Sequence, residues 1–113
     1  MRTQTVNYLQ DLINIGVTGF RFDAGKHMEP RDIDAIINRL SGKPYMFLEI
    51  TGTGPEAVTY RNYNLDLSDV TEFKYSNLIG NTFANGFLSS LQNFGEGMMS
   101  PLSAVVFTDN HDN

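Results

Sequence analysis

The chain of 113 residues contains no cysteine, which excludes disulfides and thiolate-ligated metal and leaves the redox compartment open. Basic residues are scarce: 8 Lys+Arg stand against 13 Asp+Glu for a net charge of −5, and they are scattered singly. A phosphate backbone is bound by clustered cations, so no nucleic-acid partner is expected. No apolar run approaches the roughly 18 residues of a bilayer-spanning helix, so no membrane segment is expected either. Internal repeats and low-complexity stretches are lacking, and Met1-Arg2-Thr3-Gln4-Thr5 does not read as the start of a signal peptide. The length allows one domain at most, over 1–113.

What is present is a regular alternation of helical and strand-like patterns. Val6, Leu9, Leu12 and Ile13 recur at helical spacing, with Gly16 as a stop, which predicts a helix over 5–15. A strand follows over 17–23, with Phe20 and Phe22 on one side and Arg21 and Asp23 on the other. Pro30 opens a second helix with an apolar stripe of Ile33, Ile36, Ile37 and Leu40. The run Y-M-F-L-E-I over 45–50 predicts a strand buried on both faces. Turn residues fill 51–55, and an irregular stretch with one short helix reaches Asp69. A third strand is expected over 70–75, a helical segment broken at Gly80 and Gly86 over 78–94, and a fourth strand over 104–108. Strands alternating with helices imply an α/β fold with a parallel sheet. The fourth strand ends in a polar cluster with nothing to cover it, so the chain is expected to be a piece of a larger domain.

Ligands of parallel α/β folds bind at the C-terminal ends of the strands. Three acids, Asp23, Glu49 and Asp112, are expected there. Each could instead be a helix cap or a solvated loop acid; together they suggest one shared rim. Strand parity places Arg21 a layer below Asp23 and Asn110 a layer below Asp112, a pair that could cradle a small anion. The plainer alternative is a structural ion pair between Arg21 and Asp23. Carboxylates without a His/Cys ligand cluster suit acid/base and nucleophilic work at a sugar acetal. Glu49 lies among Phe47, Leu48 and Ile50, which favours the acid role, and Asp23 beside Arg21 favours the anion role. Lys26, His27 and His111 read as surface residues or as donors to sugar hydroxyls. Tyr45, Tyr60, Tyr63 and Tyr75 read as core or as stacking platforms. Gly52-x-Gly54 and the tract Asp109-Asn110-His111-Asp112 are too unspecific alone to define a phosphate loop or a metal site.

The stretch G-F-R-F-D-A-G-K-H-M over 19–28 resembles the second signature region of the α-amylase family. F-L-E over 47–49 is similar to the third, and F-T-D-N-H-D over 107–112 to the fourth. V-T-E-F-K-Y over 70–75 and N-F-G-E-G over 93–97 resemble the animal-type, chloride-activated branch. The resemblance implies the fourth to seventh strands of a partial (β/α)8 TIM barrel, from a secreted parent that cleaves internal α-1,4 bonds of starch or glycogen with retention. It implies Asp23 as nucleophile, Glu49 as general acid/base and Asp112 as the acid that positions substrate. Lys26, His27 and His111 would contact the α-glucan, and Arg21 and Asn110 would bind chloride. The backbone carbonyl of His27 would be a partial site for calcium. The third chloride ligand and the rest of the calcium cage would lie outside the stretch resembled, so the piece by itself is expected to be inactive. A non-catalytic homologue, a half needing a complementary chain, and a transglycosylase or isomerase on the same barrel stay open as alternatives.

Overall fold

The computed structural model describes residues 1–52 and 58–112, so part of the turn expected over 51–55 lies outside the described residues. The fold is α/β: four strands, β1 (Gly19–Phe22), β2 (Tyr45–Leu48), β3 (Asp69–Thr71) and β4 (Ala104–Val105), form one sheet in that order. All neighbouring pairs are parallel, as in a segment of a TIM barrel. Helix α1 (Arg2–Asn14) precedes β1, α2 (Pro30–Ile37) links β1 to β2, and α3 (Phe73–Asn85) leads from β3 towards β4. No helix among the described residues is long and apolar enough to cross a membrane.

Helix α1 stops because Gly16 takes φ +108°, which costs a residue without Cβ little, and its N–H returns to the carbonyl of Ile13. Pro30 opens α2, where its missing N–H would have had no partner in any case. Val6 and Leu9 of α1 meet Ile36 of α2 and Leu40, with Phe20 and Phe22 of β1 against them. A second cluster joins Ile33 to Leu48, Ile50, Tyr63, Val70 and Met99. Arg2 pairs with Asp32 across the two helices.

Register gives the sheet two unlike faces. Phe22, Leu48, Val70 and Ala104 stand in one row and pack into the core, and each buried aliphatic chain there contributes about 1.5–3 kcal/mol. Arg21, Phe47 and Asp69 form the next row, on the opposite face. That face is not covered: Tyr45 is 53% exposed, so the expected burial of β2 on both sides holds for one side only.

Two strands are shorter than their apolar patterns suggest. The strand expected over 70–75 ends at Thr71, and Phe73 to Tyr75 already belong to α3. The cause is Glu72, whose carboxylate accepts the backbone N–H of Lys74 (3.0 Å) and of Met99 (2.8 Å) and so caps the helix. At the other end, α3 runs through Gly80 without a break and stops at Gly86, in the left-handed conformation. The strand expected over 104–108 keeps Ala104 and Val105 alone. Beyond it, Asp109 and Asn110 bond backbone amides with their own side chains (2.9 and 2.7 Å), an alternative to the sheet ladder.

Candidate active site

The site is built on the last residues of β1 and β2 and the first residues after them. Glu49, one residue past β2, is held at every hydrogen-bonding group it has. Its N–H donates to the Phe22 carbonyl (2.9 Å), and its carbonyl accepts from the Gly25 N–H (2.9 Å). Its Oε2 accepts from the Ala24 N–H at 2.8 Å, and its Oε1 meets Arg21 Nη2 at 3.0 Å. Ala24 takes φ +48°, uncommon for a residue with Cβ, a local strain of the kind that collects at functional sites. Gly25 is required by contact: a Cβ there would stand 3.0 Å from Ile50 Cδ1 and 3.3 Å from the Glu49 carbonyl oxygen.

Arg21 joins the two acids, with Nη1 at 2.8 Å from Asp23 Oδ1 while Nη2 holds Glu49. The plain ion pair weighed for Arg21 and Asp23 is therefore present, and it extends to the second carboxylate. Asp23 points outward with 72% side-chain exposure against 11% for Glu49, so one acid is reachable from solution and the other is enclosed. The enclosure is not the apolar surrounding expected from neighbours in sequence. Leu48 and Ile50 turn into the core, whereas Glu49 shares the opposite face with Phe47 and meets a cation and an amide.

A cavity of about 360 Å³ opens on this face, lined by Arg21, Phe47, Glu49, Thr71, Phe73, Val105, Phe107, Asp109, Asn110 and His111. It brings the two expected anion ligands, Arg21 and Asn110, to one place with Glu49 and His111. Asp112 does not line it. Because the chain leaves the strand after Val105, the parity that set Asn110 beneath Asp112 does not apply. The two are linked instead by a turn, Asp112 N–H to Asn110 Oδ1, and Asp112 faces His111 at 3.6 Å. Lys26 and His27 lie in the 3-10 turn Gly25–His27 directly after Asp23. A second cavity of about 360 Å³ lies between the segments after β2 and β3 and includes Ile50, Tyr60, Arg61, Glu72 and Lys74.

Neither implied ion is fully provided for. Calcium needs six to eight oxygens, and the His27 carbonyl is one; among the described residues no group of three or more His, Asp or Glu could hold a metal. Arg21 directs both terminal nitrogens to carboxylates, and Asn110 Oδ1 accepts the Asp112 amide.

Two residues at or beside the site were not singled out by sequence. Glu72 stands one residue past β3, as Asp23 and Glu49 stand past β1 and β2, so a carboxylate follows each of three consecutive strands. Its signal was the polar residue interrupting an apolar strand pattern, which reads equally as a cap. Thr71 is the other: its buried hydroxyl accepts the Ile50 N–H at 2.9 Å and ties β3 to the residue after Glu49. No local pattern foretells such a cross-strand bond.

The sequence matches curated relatives over the whole chain. An α-amylase-related protein of Drosophila pseudoobscura pseudoobscura is 40% identical over 127 residues, which covers all of this chain and 26% of the relative. An α-amylase of Oryzias latipes is 41% identical and a pancreatic α-amylase of Rattus norvegicus 40%, each over 128 residues, all of this chain and 25% of the relative. The chain belongs to the α-amylase family. It spans about a quarter of the length of the curated relatives it matches. No family model matches the chain.

Proposed function

We propose that this chain supplies the paired carboxylates of a retaining α-glucan hydrolase that acts on internal α-1,4 bonds of starch, glycogen and maltooligosaccharides. The observation that carries the reading is Arg21, which gathers Asp23 and Glu49 at adjacent strand ends. Retention requires two carboxyl groups on either side of the scissile bond, close enough for one to attack the sugar directly.

In this reading Asp23, exposed and beside a guanidinium, is the nucleophile that attacks the anomeric carbon. Glu49 protonates the departing glycosidic oxygen and then takes a proton from the water that releases the glycosyl intermediate. The Ala24 amide and Arg21 fix the Glu49 carboxylate from both sides and so set its position beside Asp23. Asp112 positions substrate once the segment after β4 is drawn towards the strand end. Lys26, His27 and His111 donate to glucose hydroxyls.

Calcium and chloride belong to the whole protein in this reading. The chain contributes the His27 carbonyl to the one and Arg21 and Asn110 to the other, short of a complete set for either ion. The parent is secreted. The test is a chimera in which these 113 residues replace the matching quarter of an α-amylase relative. It should hydrolyse starch, and Asp23→Asn or Glu49→Gln should lower kcat by about a thousandfold or more. A chimera whose activity survives both substitutions would refute the assignment.

A further inference from the structure

Tyr63 lies 38 residues from Gly25 in sequence and carries no role in the reading above, yet it is buried (6% exposed) and its hydroxyl donates to the Gly25 carbonyl at 3.0 Å. Gly25 is the residue whose N–H binds the Glu49 carbonyl, and the preceding N–H, of Ala24, binds the Glu49 carboxylate. The peptide units around Gly25 are thus held on one side by Glu49 and on the other by Tyr63. The phenol is a dependable donor: burial, and after it the charge of Glu29, push its pKa above the ordinary value, so it keeps its proton through the neutral range.

We infer that Tyr63 is a positioning residue for Glu49, acting through the Gly25 carbonyl to keep the Ala24 amide on the Glu49 carboxylate. The geometry favours this over a purely space-filling ring. Tyr63 belongs to the cluster of Ile33, Leu48, Ile50, Val70 and Met99, which would accept an apolar ring of the same size, but a hydroxyl buried there needs a partner. The only hydrogen bond described for it goes to the turn that touches the acid. Ala24, with its left-handed backbone, is also the residue in that turn with most to gain from an external restraint. The catalytic meaning of the tether rests on the reading of Glu49 as the acid; the tether itself can be tested without activity.

The test is nuclear magnetic resonance on the ¹⁵N-labelled chain and its Tyr63→Phe variant, which keeps the ring and loses one oxygen. The amides of Ala24 and Met99 are compared, since each is bonded to a buried carboxylate, Glu49 in one case and Glu72 in the other. Loss of the hydroxyl should move the Ala24 amide resonance upfield and speed its hydrogen exchange about tenfold, while Met99 keeps its shift and rate. An unchanged Ala24 amide, or equal acceleration of both amides, would overturn the inference, the latter by showing general loosening. If Tyr63→Phe does not fold, native-state exchange of the wild-type chain decides. Opening of Ala24 together with Tyr63 and before Met99 supports the tether, and opening of Ala24 independent of Tyr63 contradicts it. A chimera inactive on starch with these amide results intact would refute the hydrolase reading and leave the tether standing.

Discussion

Arg21 Nη2 lies 3.0 Å from Glu49 Oε1, and this contact crosses from β1 to β2 at the level where both strands end. Glu49 is enclosed, and a buried carboxylate stripped of its cation loses more than the cation's own burial is worth. Arg21→Ala should therefore destabilise the chain by about 1–3 kcal/mol, the lower part of the range for buried pairs because the arginine itself is partly exposed. In a Glu49→Gln background the same substitution should cost measurably less. Urea unfolding of the four proteins checks this as a double-mutant cycle, with a coupling of about 0.5–3 kcal/mol expected.

Gly25 and Gly80 should respond in opposite directions to alanine. At Gly25 the new methyl group meets Ile50 Cδ1 and the Glu49 carbonyl, and the carbonyl cannot yield without disturbing the acid it belongs to. A loss of about 1–3 kcal/mol is expected. Gly80 lies inside α3 with nothing within 4 Å, so alanine there should raise stability by about 0.5–1 kcal/mol. Thermal or urea unfolding of the two variants separates them.

Tyr45 gives a pH dependence on the uncovered sheet face. Partial burial of its hydroxyl, the 2.7 Å hydrogen bond to Asp69 and the Asp69 charge push the phenol up to about 12, against about 10 for an unfolded chain. A pKa raised on folding means that the folded state holds the proton more tightly. The contribution is full below pH 10 and is lost as pH rises from about 10 to about 12. Tyr45→Phe should show a shallower loss of stability across that interval than wild type, as followed by circular dichroism in urea. Equal slopes would mean that the Asp69 contact is not maintained in solution.

The fold was legible where one signal dominated. Helical spacing of Val6, Leu9, Ile33 and Ile36 and the glycine and proline stops placed α1 and α2, and the apolar runs placed β1 and β2. The pattern misled where a polar side chain competed with the ladder. Glu72 turned the expected strand into a helix start, and Asp109 and Asn110 ended β4 early. In the site, parity along β1 correctly paired Arg21 with Asp23, because both lie at a regular strand end. The same parity failed for Asn110 and Asp112, which had left the strand. Bonds between residues distant in sequence, such as Tyr63 to Gly25 and Thr71 to Ile50, have no local signature at all.

Retention of configuration is what the proposed roles of Asp23 as nucleophile and Glu49 as acid/base predict. It is read most directly by ¹H NMR of the first products that the chimera releases from a short α-glucan, before the anomers equilibrate. Attack by Asp23, followed by water entering from the face that the leaving oxygen vacated, gives the α-anomer first, with no product from the Asp23→Asn form. Initial release of the β-anomer would mean single displacement by water, and would contradict the assignment of Asp23 as nucleophile.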